Sequence, residues 1–351
     1  MWDEPRMEKI LGFYIIINKA GFPRSLPECE DHVTSRNFPG MRNDMVLREH
    51  NPGVVLPEIH QEIVFHSLSS EEERIYTSMK HVLSSTQRRL VIAQQERNTE
   101  AAKLFRSYLI TIITYLRQCL FCPLIPFSRI LLRLSNLKER SALSAIVLGE
   151  LNKLNIDDWL QQEDSVCSSR MKACLETMHK HENENIIVFT TFRTSIDVFS
   201  AYLPKHRPNF TISSGMSSSV RTETIKQFNQ ANNGILLLSF DIGCQGLNLQ
   251  SASVVLITSL WWNCTKTIQA VGRVLRREQR SPRVSVYFYA SNTGIEKAIL
   301  RKHKDKAISL ETIKDGPLDL QVETMKMDEI VNIITQNENP IRLEELNQMI
   351  F

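Results

Sequence analysis

Short apolar segments that alternate with helical segments limit the possible folds of this chain more than any other feature. Residues 186–189, 235–238 and 254–257 are continuously apolar, and stretches with helical spacing separate them. Strands of this kind are typical of a parallel sheet that helices cover on both faces. The pattern therefore predicts an α/β domain over residues 165–310, built on an open parallel sheet.

The rest of the chain divides into three further regions. Prolines recur through residues 1–55, which we expect to be irregular. Residues 56–160 are predicted to be mainly helical, and Ser69 followed by Glu72 resembles a capping box. Residues 311–351 form an acidic extension, either a segment that binds a partner or a packed helix, and we favour the packed helix.

Composition excludes several classes of protein. Hydrophobic residues make up 42% and charged residues 23% of the 351 residues, a mixture typical of globular domains. The longest apolar stretch, 108–116, is about half of a membrane span, so we expect no membrane partner. Cys119 and Cys122 form a single C-x-x-C without a second pair, which favours packed thiols over a metal site.

A basic block precedes the acidic extension. Residues 263–306 contain eleven Lys and Arg against three Asp and Glu, although the net charge of the whole chain is only +3. A stripe of one sign attracts polyanions, but a solvated helical face has the same composition. Charge alone therefore favours the solvated helical face over a binding surface for polyanions.

Two arginines within this block are spaced for phosphate chemistry. Arg273 and Arg276 lie three residues apart on a helix predicted over 266–276, so they share one face, and Gly272 permits close approach of another backbone. Guanidinium groups suit the charge that develops on a transferred phosphoryl group. Paired arginines on a helix are, without further context, more often surface charge.

Glycines and tryptophans lie just upstream of the arginines. Gly243 and Gly246 follow the strand at 235–238, at the carboxyl end where open α/β sheets bind ligands, although a tight turn is the simpler explanation for them. Trp261 and Trp262 stand between the two segments, and core anchoring is the simpler explanation for them.

In order and spacing, these segments resemble the second RecA-like lobe of superfamily-two helicase-like ATPases, specifically the Swi/Snf-type double-stranded DNA translocases. The resemblance consists of residues 186–192 (motif IV), 238–249 (motif V), 262–263 (a Trp-Asn pair), 269–279 (motif VI, Q-x-x-G-R-x-x-R), 116–123 (LRQxCxHP), 168–172 (SSKxKA) and 295–296 (an Ile-Glu pair).

Departures from the family qualify the resemblance, and the largest of them is an absence. Glu278 replaces the glycine of motif VI but leaves both arginines in place. No glycine in the chain is followed by lysine, so the G-x-x-x-x-G-K-[ST] phosphate cradle is missing. We therefore expect residues 1–55 to be a remnant of the end of a first lobe and a linker, and the chain to be inactive alone as an ATPase.

The resemblance implies roles for individual residues. ATP would be held with Mg²⁺ by the missing first lobe, supplied in cis or in trans, and Arg273 and Arg276 would act as arginine fingers. The resemblance implies ATP contacts from Gln269, Gly272, Arg273, Arg276, Gly243 and Gly246, and nucleic-acid contacts from Thr190, Thr191, Ser214, Ser239, Asn248, Trp262, Lys266 and Arg277.

The implied partners are double-stranded DNA and chromatin or repair proteins, with localisation in the nucleus. The alternative is an ATPase-inactive adaptor that keeps the fold, binds nucleic acid and docks a partner through its helical region.

Overall fold

The computed structural model describes most of the chain beyond residue 56. The described residues are 57–127, 130, 142–154, 167–243, 247–262, 264–275, 279–315 and 327–336. The chain divides into two compact units, and the unit formed by residues 55–304 and 324–351 contains the sheet and the helices packed on it.

Among the described residues, a parallel sheet of six strands organises this unit. Its strands run in the spatial order β1-β6-β5-β2-β4-β3, and every neighbouring pair is parallel. The predicted α/β fold with a parallel sheet is thus confirmed. The strands are β1 (Glu58–His66), β2 (Ile186–Thr190), β3 (Asn209–Ile212), β4 (Ile235–Ser239), β5 (Val254–Ile257) and β6 (Arg283–Ser291).

Helices cover both faces of this sheet. Successive residues of β2 alternate between two hydrophobic clusters, with Ile187 and Phe189 in one and Ile186 and Val188 in the other, as the twofold period of a strand requires. The helices are α1 (Ser70–Gln95), α2 (Thr99–Phe121), α3 (Ala142–Asn152), α4 (Ser169–Lys180), α5 (Arg193–Ser200), α6 (Ser218–Gln230), α7 (Phe240–Gly243), α8 (Cys264–Val271), α9 (Gly294–Asp315) and α10 (Met327–Gln336).

The prediction that residues 56–160 are mainly helical missed one strand. Residues 58–66 form β1, which pairs with β6 over nine residues, from Glu58 opposite Arg283 to His66 opposite Ser291. No residue of β1 is fully buried, because it lies at the edge of the sheet. Polar residues interrupt its apolar ones, so it lacks the continuous apolar run that revealed the inner strands.

Glu72 joins the first helix to the sheet-covering helix α4. The predicted capping box at Ser69 and Glu72 is present at the start of α1. The same Glu72 carboxylate also accepts hydrogen bonds from the Ser169 amide at 2.9 Å and from the Ser169 hydroxyl at 2.6 Å. One side chain therefore satisfies the free amide groups at the N-termini of two helices.

Part of the predicted acidic extension packs on the core. In α10, Val331 and Ile334 are buried, and Asn332 accepts a hydrogen bond from Gln87 of α1. The packed-helix alternative therefore describes residues 327–336.

Candidate functional site

The carboxyl edge of the sheet collects several of the residues predicted to bind nucleic acid. Thr190 and Ser239 end adjacent strands and lie opposite each other in the register of β2 and β4. Thr191 follows directly, and its hydroxyl donates to the Ser259 carbonyl at 3.3 Å. Ser214 follows β3 and is exposed. Parallel strands present these residues on the side where open α/β sheets bind ligands.

Two hydroxyls at this edge are buried and have no hydrogen-bonding partner. They belong to Thr190, whose residue is 3% exposed, and Ser259, which is 4% exposed. Buried polar groups in folded proteins are nearly always paired, so a missing partner calls for an explanation. Both hydroxyls keep an unused capacity for a hydrogen bond, but neither is exposed to solvent.

Gly243 is explained by packing. It is buried, and a Cβ there would overlap the ring of Phe189, which stacks on Phe240 at 5.4 Å between centroids. A Cβ at this position would have to displace one of two stacked buried rings, so packing favours glycine here. The predicted ATP contact of Gly243 stays a prediction, and Gly246 lies outside the described residues.

The predicted helix over 266–276 is shorter than expected, which is a correction to the geometry of the arginine pair. Helix α8 ends at Val271. Gly272 and Arg273 lie in the turn that follows, where the Arg273 amide donates to the Ala270 carbonyl at 3.1 Å. Glycine loses more backbone freedom in a helix than other residues, which explains the end of α8 at this position. Arg276 and Arg277 lie outside the described residues, and Arg273 is half-buried.

Asn248 lies apart from the carboxyl-edge group. Its carbonyl accepts from the Asn229 amide group at 3.3 Å, near the end of α6, on the side of the sheet where β4 begins. Gln279 links the same loop to the end of α8, because its side-chain amide donates to the carbonyls of Ala252 and Val274 at 2.8 and 3.1 Å. The motif V loop and the motif VI turn therefore meet at the end of α8, where Arg273 lies.

Gln269 and Gly272 belong to this second location. Gln269 is exposed in the last turn of α8, and Gly272 is exposed directly after the helix. The predicted site residues thus form two groups, one at the carboxyl edge and one at the end of α8.

Lys266 joins α7 to α8. Its amine contacts the Asp241 carboxylate at 2.6 Å and lies 4.2 Å from the centre of the Trp261 ring. Both groups remain partly exposed, so this ion pair adds little stability. The pair lowers the charge that Lys266, a predicted nucleic-acid contact, presents to solvent.

Trp262 is held by an arginine that the sequence did not single out as a site residue. The Arg117 guanidinium of α2 lies 4.5 Å from the centre of the Trp262 ring and 5.5 Å from that of Phe192, and it donates to the Leu260 carbonyl at 2.5 Å. Burial lowers the pKa of Arg117 to about 10, so the group stays charged at neutral pH. The LRQ resemblance at residues 116–118 was the only sequence signal for this contact.

A buried ion pair lies beneath the same edge. Arg170 of α4 donates to Glu296 of α9 at 2.5 Å and to the Thr258 carbonyl at 3.1 Å, and its Nε lies 3.3 Å from the His66 ring nitrogen Nε2. Glu296 also accepts from the Ser291 amide and hydroxyl, each at 2.6 Å. The pair ties α4 and α9 to the ends of β1, β5 and β6.

Burial and pairing act against each other on these groups. Burial raises the pKa of Glu296, but the charge and hydrogen bonds of Arg170 outweigh it and hold that pKa below its ordinary value. Burial, followed by the Arg170 charge, lowers the pKa of His66 to about 3. His66 is therefore neutral at physiological pH and can accept the Arg170 hydrogen bond.

The cysteine pair and the potential metal ligands of the described residues provide no further candidate site. Cys119 and Cys122 are both buried, and burial raises the pKa of Cys122 to about 12. Among the residues that the structure describes, no three potential metal ligands cluster. No helix in the described part of the chain is long and apolar enough to cross a membrane.

Comparison with known proteins identifies the domain. Residues 169–278 match the helicase conserved C-terminal domain. The DNA repair protein rad8 of Schizosaccharomyces pombe is 26% identical over 195 residues, which cover 54% of this chain and 17% of rad8. An uncharacterized ATP-dependent helicase of Mycoplasma pneumoniae is 32% identical over 154 residues, covering 42% of this chain and 15% of that protein. The chain thus spans about a sixth of the length of these relatives.

Solved structures show the same architecture. The C-terminal part of the Fun30 ATPase domain superposes with a TM-score of 0.52 at 19% identity, covering 80% of this chain and 99% of that one. The Sulfolobus solfataricus SWI2/SNF2 ATPase core in complex with dsDNA gives a TM-score of 0.50 at 15% identity, covering 84% of this chain and 55% of that one.

Fold and comparisons agree: over residues 169–278 this chain is similar to the helicase conserved C-terminal domain, and the sheet that contains these residues is parallel. More particularly, it has the fold of the C-terminal lobe of Swi2/Snf2 ATPases, and its relatives include DNA repair proteins. The predicted resemblance is confirmed for this lobe.

Proposed function

We propose that this chain is the second motor lobe of an ATP-dependent double-stranded DNA translocase. The observation that carries the proposal is the separation of the predicted residues into two groups. The hydroxyl-bearing residues Thr190, Thr191 and Ser239 gather at the carboxyl edge, while Arg273 lies at the end of α8. A motor lobe needs both a surface for DNA and a separate surface for nucleotide.

The carboxyl edge would bind the DNA backbone. Hydroxyl groups suit phosphate oxygens, and Ser214 is exposed at the same edge. Trp262, Lys266 and Arg277 would add contacts. Such contacts do not read sequence, so we expect affinity for duplex DNA to fall steeply as salt concentration rises. The dsDNA held by the Sulfolobus core, which shares this fold, supports the assignment.

The end of α8 would complete a nucleotide pocket on another lobe. Arg273 and Arg276 would approach the γ-phosphate and stabilise the charge that develops as it is transferred. Gln269, Gly272 and the motif V glycines Gly243 and Gly246 would lie near the nucleotide. ATP and Mg²⁺ would be held mainly by the first lobe, which carries the phosphate cradle in this family.

ATP turnover tests the arginine fingers. The chain is mixed with a separately produced first lobe of the family and saturating duplex DNA, and ATP hydrolysis is measured for wild type, Arg273→Ala and Arg276→Ala. Loss of an arginine finger lowers the rate by about a thousandfold or more. The matched control is Arg89→Ala, at an exposed arginine of α1. Equal rates for wild type and both finger variants would contradict the assignment.

An ATPase-inactive adaptor is the second candidate. The ion pair of Lys266 with Asp241 and the packing of Gly243 are structural features that an inactive domain would also keep. An adaptor binds duplex DNA but gives no DNA-stimulated turnover with any first lobe. For either function, the DNA repair proteins among the relatives lead us to propose localisation in the nucleus and partners in repair or chromatin.

A further inference from the structure

Arg117 connects the helical region to both loops that carry predicted DNA contacts. It lies on α2, about 75 residues before the first of these loops and more than 140 before the second. One loop follows β2 and contains Thr191 and Phe192, and the other follows β5 and contains Leu260 and Trp262. The Arg117 guanidinium contacts the Phe192 ring, the Trp262 ring and the Leu260 carbonyl.

The contacts fix the position of Trp262. Arginine is planar and stacks on aromatic rings while its N–H groups still donate hydrogen bonds, so one side chain holds ring and backbone together. Trp262 remains half-buried, which leaves part of its ring accessible. The second loop is anchored to the first as well, because the Thr191 hydroxyl donates to the Ser259 carbonyl.

We propose that Arg117 is a positioning residue for duplex DNA binding, which holds Trp262 and the two carboxyl-edge loops in the geometry that contacts the DNA backbone. The proposal rests on the proposed function, since it assumes that the carboxyl edge binds DNA. Arg117 itself need not touch DNA, because its guanidinium is turned into the contacts between the two loops.

Lysine is the informative replacement. Arg117→Lys keeps the positive charge, so the long-range attraction of the chain for DNA is unchanged. Lysine is a compact point charge that cannot stack its head group flat on Trp262 and donate to the Leu260 carbonyl in the same geometry. Any loss of DNA affinity would therefore come from the position of the loops and not from charge.

The matched control is Arg74→Lys. Arg74 of α1 also donates from its guanidinium to a distant backbone carbonyl, that of Leu154 at 2.9 Å, but it contacts neither carboxyl-edge loop. The two variants thus remove similar hydrogen bonds from the same helical region. Thermal unfolding of both variants checks that any difference in binding does not reflect global unfolding.

The first measurement needs no DNA. Trp2, Trp159 and Trp261 are replaced by Phe so that fluorescence reports Trp262 alone. Acrylamide quenching is then compared with and without Arg117→Lys. We expect quenching of Trp262 to increase, because a ring face that the Arg117 guanidinium covers opens to solvent, and Arg74→Lys to leave it unchanged.

The second measurement is affinity for duplex DNA in the otherwise natural chain. We expect Arg117→Lys to weaken binding about tenfold, which corresponds to about 1.4 kcal/mol, and Arg74→Lys to bind like wild type. Unchanged quenching in Arg117→Lys would refute the proposal that Arg117 holds Trp262 in position. Increased quenching with wild-type affinity would refute its role in DNA binding.

Failure of the proposed function gives a different result. If the wild-type chain does not bind duplex DNA at any salt concentration, the proposed function fails and the positioning role fails with it. The quenching measurement would then still establish whether Arg117 holds Trp262.

Discussion

Glu296 lies at the centre of the buried polar network that supports the carboxyl edge, and Glu296→Gln is the sharpest test of that network. The substitution keeps the size and shape of the side chain but removes its negative charge. Glu296 accepts hydrogen bonds from three donors, the Arg170 guanidinium at 2.5 Å and the Ser291 amide and hydroxyl at 2.6 Å each. Glutamine can satisfy some of these donors but leaves the Arg170 charge without its partner.

The expected cost follows from the burial of both partners. Arg170 is 1% exposed and Glu296 is 4% exposed, so water cannot replace the lost carboxylate. Removing one partner of a buried ion pair costs about 3–5 kcal/mol of unfolding free energy. Because glutamine keeps one acceptor oxygen, we expect about 3 kcal/mol, or a decrease of roughly 6–12 °C in the melting temperature.

The cost should depend on pH. The pKa of Glu296 in the folded chain is held below its ordinary value, so the ionised carboxylate stabilises the fold. That stabilisation is complete above the pKa of the unfolded chain, about 4.3, and is lost as pH falls through the lower pKa of the folded chain. The difference between wild type and Glu296→Gln should therefore be full at pH 7 and shrink below about pH 4.

Urea unfolding at pH 7 followed by circular dichroism measures the difference. The control is Glu329→Gln, because Glu329 pairs with Lys302 at 3.8 Å and both side chains are partly exposed. An exposed pair contributes about 1 kcal/mol or less. If Glu296→Gln costs no more than this control, the network does not support the fold as described.

Three further substitutions test other parts of the account. His66→Gln should flatten the pH dependence of stability between about pH 6.5 and 3, where wild type loses stability on acidification because burial and Arg170 keep its imidazole neutral. Gly243→Ala should cost about 1–3 kcal/mol, because its Cβ would overlap a buried ring. Glu72→Ala should cost about 2 kcal/mol, since it removes the carboxylate that accepts from the Ser69 amide at one helix N-terminus and from the Ser169 amide at another. Denaturant unfolding measures all three.

Each of these has its own contradicting result. If the pH dependence of the unfolding free energy is the same in His66→Gln, protonation of this imidazole does not cause the loss of stability at low pH. Gly215→Ala is the matched control for Gly243→Ala, because nothing lies within 4 Å of a Cβ at Gly215, and equal effects of the two would refute the packing argument. If Glu72→Ala leaves the free energy of unfolding unchanged, Glu72 does not cap both helices as described.

The inner part of the sheet was predictable because strands that are buried on both faces appear in the sequence as continuous runs of apolar residues. Strands β2, β4 and β5 are continuously apolar apart from the terminal Thr190 and Ser239, and almost every residue in them is buried. Strand β1 has no such apolar run. As an edge strand, it is held in the sheet mainly by its backbone pairing with β6 and not by apolar side chains. The hydrophobic pattern therefore predicts the centre of the sheet better than its edges.

The sequence predicted which segments contribute residues to the candidate site, but it did not predict which side chains contact each other there. The motif resemblance identified the segments that contain Arg170, Glu296 and Arg117, yet sequence spacing cannot reveal a contact between side chains 126 residues apart. The end of α8 was predicted too late because the amphipathic pattern continues past Gly272, whereas the backbone of that glycine does not favour the helix.

Hydrogen exchange on adding duplex DNA tests the central claim, that the carboxyl edge of the sheet binds DNA, most directly. We predict slower exchange at residues 190–192, 213–215 and 258–262 and no change at the amino-edge residues 205–209 and 232–235. Slower exchange confined to the amino edge, or no change at either edge under conditions where the chain binds DNA, would contradict the claim.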